Sequence, residues 1–324
     1  MSLVVAFIAV LAGLFLLEGG ADRLTDAVVA LARRLRAPEH MVGLLTAGGE
    51  WEELIVVILA ISSGHPALAV GNVVGSCLAN LIGSMPLGFL GSRPLIPDRS
   101  ARIYAMVMLL VTLLAAIFLI DGRVEPMDGG VLIAVFVVYV VSILLILQRG
   151  WLQPLESDED DEDDRHEEGD APQSLAYLVG ILVIGLAVIA VGAELVVQGA
   201  VTIAQQFGLS EYAIGATIVA VGTTLPDKAI SFVAGRRGQS GVVTANATGS
   251  NIFVLTLVLG LAALFSGSGL TIASDIARID VPLLVAATVL VVLLFQRPAL
   301  GRSTGIALLV LYVAYLVYAL LRGG

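Results

Sequence analysis

The chain has 324 residues, 58% of them hydrophobic and 14% charged, and its mean hydropathy is +0.98. No soluble domain carries that balance. It fits an all-α polytopic membrane protein, because the apolar segments are too long and too uniform for barrel strands and every backbone polar group in lipid must be satisfied internally. The net charge of −10 belongs to one stretch, Glu156 to Asp170, which holds eleven of the 27 acids and one of the 17 Lys and Arg residues. The single cysteine, Cys77, excludes a disulfide framework and any cysteine-based metal cluster.

In chain order, ten apolar stretches are predicted to cross the membrane as helices: residues 2–35, 39–63, 67–91, 101–121, 129–148, 174–207, 212–234, 241–266, 279–296 and 303–321. The N-terminal M-S-L-V-V-A-F-I has no basic leader region, so it is expected to be a retained first helix. Connections are short except for 149–173, with five spans on either side. The chain therefore divides into a first five-helix repeat (1–148), an acidic loop (149–173) and a second five-helix repeat (174–324). A run such as E-S-D-E-D-D-E-D-D repels itself and reads as a solvated linker. A weak divalent-binding role is the second reading, although the spacing does not fit an EF-hand.

Arginines set the orientation. The loops after the odd-numbered spans carry Arg33, Arg34, Arg36, Arg93, Arg99, Arg102, Arg149, Arg165, Arg236, Arg237, Arg297 and Arg302, against Arg123, Arg278 and Arg322 on the other side. The positive-inside rule places both termini outside and the acidic loop in the cytoplasm of a cell (plasma) membrane protein.

The polar chemistry lies in two stretches of matching layout. From Gly215 the chain reads G-A-T-I-V-A-V-G-T-T-L-P-D-K, and T-A-N-A-T-G-S-N-I-F follows from Thr244. Pro226 and Asp227 stand together inside an apolar run. A mid-membrane carboxylate costs roughly 2.5–3.5 kcal/mol on insertion scales unless it is paired or faces water or an ion. Proline frees helix carbonyls, which is tolerated at that depth only where they line a protected cavity. The earlier stretch reads G-L-L-T-A-G-G-E-W-E-E-L from Gly43 and G-N-V-V-G-S-C-L-A-N from Gly71. Glu53 precedes Asn72 by nineteen residues, as Asp227 precedes Asn246. G-A-D-R-L from Gly20 pairs with G-A-E-L-V from Gly192, Ala101–Ile103 with Ala277–Ile279, and Tyr139 with Tyr315. An odd number of spans per repeat inverts one half relative to the other, the design of many secondary transporters, with the site at the midplane.

These motifs resemble the α-repeats of the cation/Ca²⁺ exchanger superfamily, the Na⁺/Ca²⁺ exchanger type, over almost the whole chain. The resemblance implies a secondary active antiporter without catalytic residues or cofactor. Its partners would be the lipid bilayer and transported Ca²⁺, Na⁺ or H⁺, with no nucleic acid. It implies that Glu53 and Asp227 bind the cation, with Thr223, Thr224, Ser76, Asn80 and Ser250 as neutral oxygens. By spacing, Thr223 and Thr224 share a helix face with Asp227, and Ser76 with Asn80. The expected mechanism cages the ion between the second, third, seventh and eighth spans while the long first and sixth spans slide to expose it alternately.

This chain departs from the family pattern at several places. In the first half, Gly49 and Glu50 stand where the hydroxyl pair belongs, Glu52 where the proline belongs, and Cys77 where the asparagine of G-S-N belongs. Val254 stands one turn after Ser250, where the family often has a polar ligand. Glu50 and Glu53 are expected on one helix face, with Glu52 about 100° away. Three carboxylates so close cannot all ionise in low dielectric without compensating cations, so Glu50 and Glu52 join the candidate metal ligands and an alternative cation/H⁺ antiporter stays open. Lys228 either supplies a fixed positive charge beside Glu52 or Asp227 or snorkels to an aqueous surface. Asn72 and Asn246 are read as ligands or as interhelical glue, and Trp51 as a wall of the site or as packing. A non-transporting sensor or scaffold is the alternative of a different class. An intramembrane enzyme is disfavoured, since no H-E-x-x-H or G-x-S-x-G occurs.

Overall fold

The structure is a computed structural model that describes residues 1–34, 49–91, 93–148 and 175–323. The acidic stretch, and the first part of the expected span 39–63, lie outside the described residues. In chain order the helices are α1 (Leu3–Arg34), α2 (Trp51–Ser62), α3 (Pro66–Leu90), α4 (Arg99–Ile120), α5 (Pro126–Gln148), α6 (Leu175–Phe207), α7 (Glu211–Thr223), α8 (Leu225–Arg237), α9 (Ser240–Phe265), α10 (Ile276–Leu294) and α11 (Arg302–Gly323). Among the described residues, eight helices are long and apolar enough to cross a membrane. A ninth span arises if α7 and α8, which meet at 47°, count as one. The protein is an all-α polytopic membrane protein, as its composition requires.

Sequence explains where the helices start and stop. Asp98 caps α4 by accepting from the Ala101 N–H at 2.7 Å, and Ser210 caps α7 by accepting from Ala213 at 3.2 Å. Gly238 closes α8 at φ 78°, a left-handed conformation that costs glycine little. The expected single span 212–234 is broken at Thr224 (φ −87°, ψ 14°), because Pro226 has no N–H to continue the ladder.

The centre of the molecule is α3 and α9, of which 89% and 72% is buried, whereas α1, α5, α6 and α11 bury 33%, 17%, 28% and 28%. The outer helices turn Leu11, Phe15, Val183, Ile184 and Val310 outward, apolar surface that suits lipid contact. The central helices instead carry small and polar residues, which let backbones approach closely. A Cβ added at Gly75 of α3 would stand 2.5 Å from the Ala216 Cα of α7. Outside this centre, α1 lies along α6, with a Cβ at Gly13 2.6 Å from the Gly192 carbonyl oxygen.

Two short pairings join distant connections. Arg123 and Val124, after α4, form a two-stranded antiparallel ladder with Thr271 and Leu270, after α9. Leu95, after α3, exchanges hydrogen bonds of 2.9 and 2.8 Å with Leu300, after α10. At the far end of α11, Arg322 donates to the fully buried Asp280 of α10 at 2.5 Å and pairs with Asp275 at 3.6 Å.

Candidate cation site

Two helix N-termini carry Glu50, Glu52, Glu53 and Asp227. Glu50 occupies the N-cap position of α2, with φ −82° and ψ 68°, and Glu52 and Glu53 fall in its first turn. Pro226 and Asp227 fall in the first turn of α8. A carboxylate in that position faces the positive end of the helix dipole, which offsets part of its burial cost. Glu50 is thus outside the α2 helix, so the expectation that it shares a helical face with Glu53 does not describe it. One carboxylate oxygen from each of Glu50, Glu52 and Glu53 nonetheless converges, the three lying within 4.8 Å of one another. The nonhelical turn at Glu50 achieves what helical spacing alone would deny to Glu52. Glu50 and Glu53 also lie within electrostatic reach of Asp227.

The surrounding hydrogen bonds are unequal. Asp227 Oδ1 accepts from Asn246 Nδ2 of α9 at 2.9 Å, while Oδ2 is buried with no partner. Neither oxygen of Glu53, which is fully buried, has a hydrogen-bond partner. The hydroxyls of Ser76 on α3 and Ser250 on α9 are buried and unpartnered, as are both amide atoms of Asn80 and of Asn72. Thr223 donates to the Val219 carbonyl at 3.2 Å and keeps its lone pairs free to accept, whereas Thr224 donates to the Ala220 carbonyl at 2.6 Å and already accepts from the Lys228 ammonium, which leaves it one lone pair. Buried polar atoms almost always find partners, because each one left bare forfeits its hydration. Here bare oxygens recur on the central helices and at the start of α2 and α8.

The structure brings Glu50, Glu52 and Glu53 together and sets Asp227 within their reach. Glu52 and Thr223 line one cavity of about 190 Å³, together with Glu18 and Leu14 of α1 and with Pro226. Ser76 precedes Cys77, which lies within electrostatic reach of Glu50 and Glu53. Ser250 precedes Asn251, whose Nδ2 donates to the Cys77 carbonyl at 3.2 Å and ties α9 to α3. Trp51 packs edge-on against Phe253, with ring centroids 5.6 Å apart, so it joins the aromatic packing between α2 and α9. Lys228 does not snorkel; its charge lies within electrostatic reach of Asp227, although its hydrogen bonds go to other oxygens. It curls back along its own helix and donates to the Thr224 hydroxyl, to the Thr224 carbonyl at 3.2 Å and to the Val221 carbonyl at 3.3 Å.

Sequence reading missed two buried, unpartnered serine hydroxyls, Ser84 and Ser231. Both stand four residues beyond a candidate that was singled out, Asn80 and Asp227. Extending the helical spacing by one more turn would have found them.

The family model described as sodium/calcium exchanger protein matches residues 5–145 and 177–321, which includes both acidic motifs. The chain is 30% identical over 319 residues to the putative antiporter CaxA of Alkalimonas amylolytica, covering 97% of this chain and 98% of that protein. It is 26% identical over 347 residues to the sodium/calcium exchanger MaX1 of Methanosarcina acetivorans, covering 97% and 98%. A solved structure of the sodium-calcium exchanger NCX_Mj, soaked with Na⁺ and Sr²⁺, superposes with a TM-score of 0.64 at 28% identity, over 98% of this chain and 99% of that one. The protein is accordingly a multi-pass membrane transporter of the cation antiporter class and not an enzyme. Matched through both of its halves, the chain belongs to the sodium/calcium exchanger family.

Proposed function

We propose that the protein exchanges Ca²⁺, or a similar divalent cation, for Na⁺ by alternating access, with the ion held between α2, α3, α8 and α9. The observation that carries this reading is the set of buried oxygens without partners: both of Glu53, Oδ2 of Asp227, and the Ser76 and Ser250 hydroxyls. Ca²⁺ takes six to eight hard oxygens at about 2.3–2.6 Å, and Na⁺ accepts the same kind of ligand with less charge. In this reading Glu53 and Asp227 supply the charge. Thr223, Thr224, Ser76, Asn80 and Ser250 supply neutral oxygens, and Glu50 and Glu52 are extra ligands. Asn246 holds one oxygen of Asp227 and leaves the other for the ion.

The same reading gives the cycle. A bound cation neutralises the carboxylates and permits the change of access, whereas the bare, charged site does not cross. The cavity beside Glu18, Glu52 and Thr223 supports an approach from the α1 side. The close contact of Gly13 with Gly192 supports α1 and α6 moving as a pair over the centre. The crossed pairings, 123–124 with 270–271 and Leu95 with Leu300, support ten spans in two inverted halves, 1–148 and 174–324. The arginine distribution favours a plasma-membrane protein with both termini outside and the loop 149–173 cytoplasmic.

A second reading has its own observation. Three glutamates that each bring an oxygen within 4.8 Å of the others cannot all carry charge unaided, which favours a proton as a coupling ion. ⁴⁵Ca²⁺ uptake into proteoliposomes, driven separately by outward Na⁺ and outward H⁺ gradients, decides between the two. Uptake driven by Na⁺ alone is the expected result. Uptake driven by H⁺ alone would transfer coupling to Glu50 or Glu52. Failure of both gradients to drive Ca²⁺, Sr²⁺ or Mn²⁺ would overturn the proposal.

A further inference from the structure

The break between α7 and α8 already holds a cation, and that cation is part of the chain. Helical side chains lean toward the N-terminus of their own helix, so Lys228 in the first turn of α8 reaches back to the break. Its ammonium meets three oxygens there: the Thr224 hydroxyl, the Thr224 carbonyl at 3.2 Å and the Val221 carbonyl at 3.3 Å. Val221 stands in the last turn of α7, where the helix dipole is negative and favours a cation. Unwound carbonyls at a broken membrane helix are the groups that take a dehydrated monovalent ion. The Tyr312 ring lies 6.0 Å from the ammonium, a weak further attraction. Asp227, Glu53 and Glu50 are all within electrostatic reach of this charge. A snorkelling lysine would carry its head away from the break toward water, and this one turns into it.

We propose that Lys228 is a tethered cation: its ammonium occupies a monovalent-cation position at the α7–α8 break, so one fewer free monovalent ion is needed to load the site. The proposal rests on the cation-site reading above and adds to it a fixed charge that does not dissociate during the cycle. Removing the charge should leave a vacancy that a free monovalent ion fills.

The test is thermal unfolding of the purified full-length protein in detergent, titrated with NaCl or KCl against choline chloride at constant ionic strength. An ion that binds only the folded state raises the melting temperature in proportion to the logarithm of its concentration. In Lys228→Met, that dependence should steepen by about one bound Na⁺ or K⁺ relative to the wild type, while Lys228→Arg should keep the wild-type dependence. Lys228→Gln, also uncharged, gives the same comparison if the methionine variant fails to fold. Equal slopes in wild type and uncharged variants would overturn the proposal.

⁴⁵Ca²⁺/⁴⁰Ca²⁺ self-exchange in proteoliposomes separates this inference from the functional reading. Wild type should exchange in choline, whereas Lys228→Met should exchange only with Na⁺ or K⁺ present. A variant as fast in choline as in Na⁺ would count against the tethered cation alone. If the slopes differ and the wild type fails to exchange Ca²⁺, the tethered cation stands and the Ca²⁺ reading falls.

Discussion

Glu53 and Asp227 each stand nineteen residues before an asparagine, each in the first turn of a helix that begins among buried residues, yet their surroundings differ. Asp227 has one oxygen fixed by Asn246, and Lys228 follows it along the chain. Glu53 has no hydrogen bond to either oxygen, Asn72 has none to either amide atom, and two further glutamates crowd beside it. The second-half acid is held in place by a side-chain hydrogen bond. The first-half acid has no such amide and sits against the carboxyl groups of Glu50 and Glu52 instead. The difference teaches that matching spacing in two halves does not give matching surroundings: one acid has a supporting amide, and the other has two neighbouring glutamates in its place.

The largest effect should come from removing either primary charge. Asp227→Asn and Glu53→Gln should each lower ⁴⁵Ca²⁺ exchange by at least about 100-fold, since the loss of a direct ligand should exceed the usual cost of losing its support. Near-normal flux in either variant would remove that residue from the site. Next, Asn246→Ala should weaken apparent Ca²⁺ affinity by about 10–100-fold, the usual cost of losing a group that orients a ligand. Asn72→Ala, which removes no bond to an acid, should weaken it less. Equal losses in the two asparagine variants would erase the distinction between the halves.

A smaller and more specific effect is expected from Glu50→Gln. Removing one of three converging carboxylates relieves their mutual repulsion, so the variant's uptake should vary less with pH between acid and neutral conditions. Its maximal rate should change less than its pH profile. A profile superimposable on the wild type would take Glu50 out of any protonation step. The smallest effect is structural. Gly75→Ala places a methyl 2.5 Å from the Ala216 Cα, and overpacking of this kind costs typically about 1–3 kcal/mol, read as a lowered melting temperature in detergent.

Much of the architecture was legible in the chain. A helix that crosses a bilayer must be long and apolar whatever it packs against, so the stretch 101–121 is found as Arg99–Ile120 and 303–321 as Arg302–Gly323. The candidate residues were legible for a related reason: a carboxylate, a proline or an amide inside such a run carries a cost that a membrane protein does not retain without use. Ser84 and Ser231 were legible only by their four-residue spacing from Asn80 and Asp227 and not by residue type, because a lone hydroxyl in an apolar helix can satisfy itself on its own backbone, as Thr112 and Thr288 do.

By itself, then, the sequence determined the class of protein, the positions of the long helices and the places where acids stand inside apolar runs, because those follow from hydropathy and from the cost of burying charge. The tertiary structure decided which atoms meet. It set Glu50 outside α2 so that three glutamate carboxylates converge, gave Asn246 to Asp227 while leaving Asn72 without an acid, and turned Lys228 into the break of its own helix. Those outcomes depend on a local backbone turn, on the fit of neighbouring helices and on one side-chain rotamer, and none of the three is encoded by spacing along the chain.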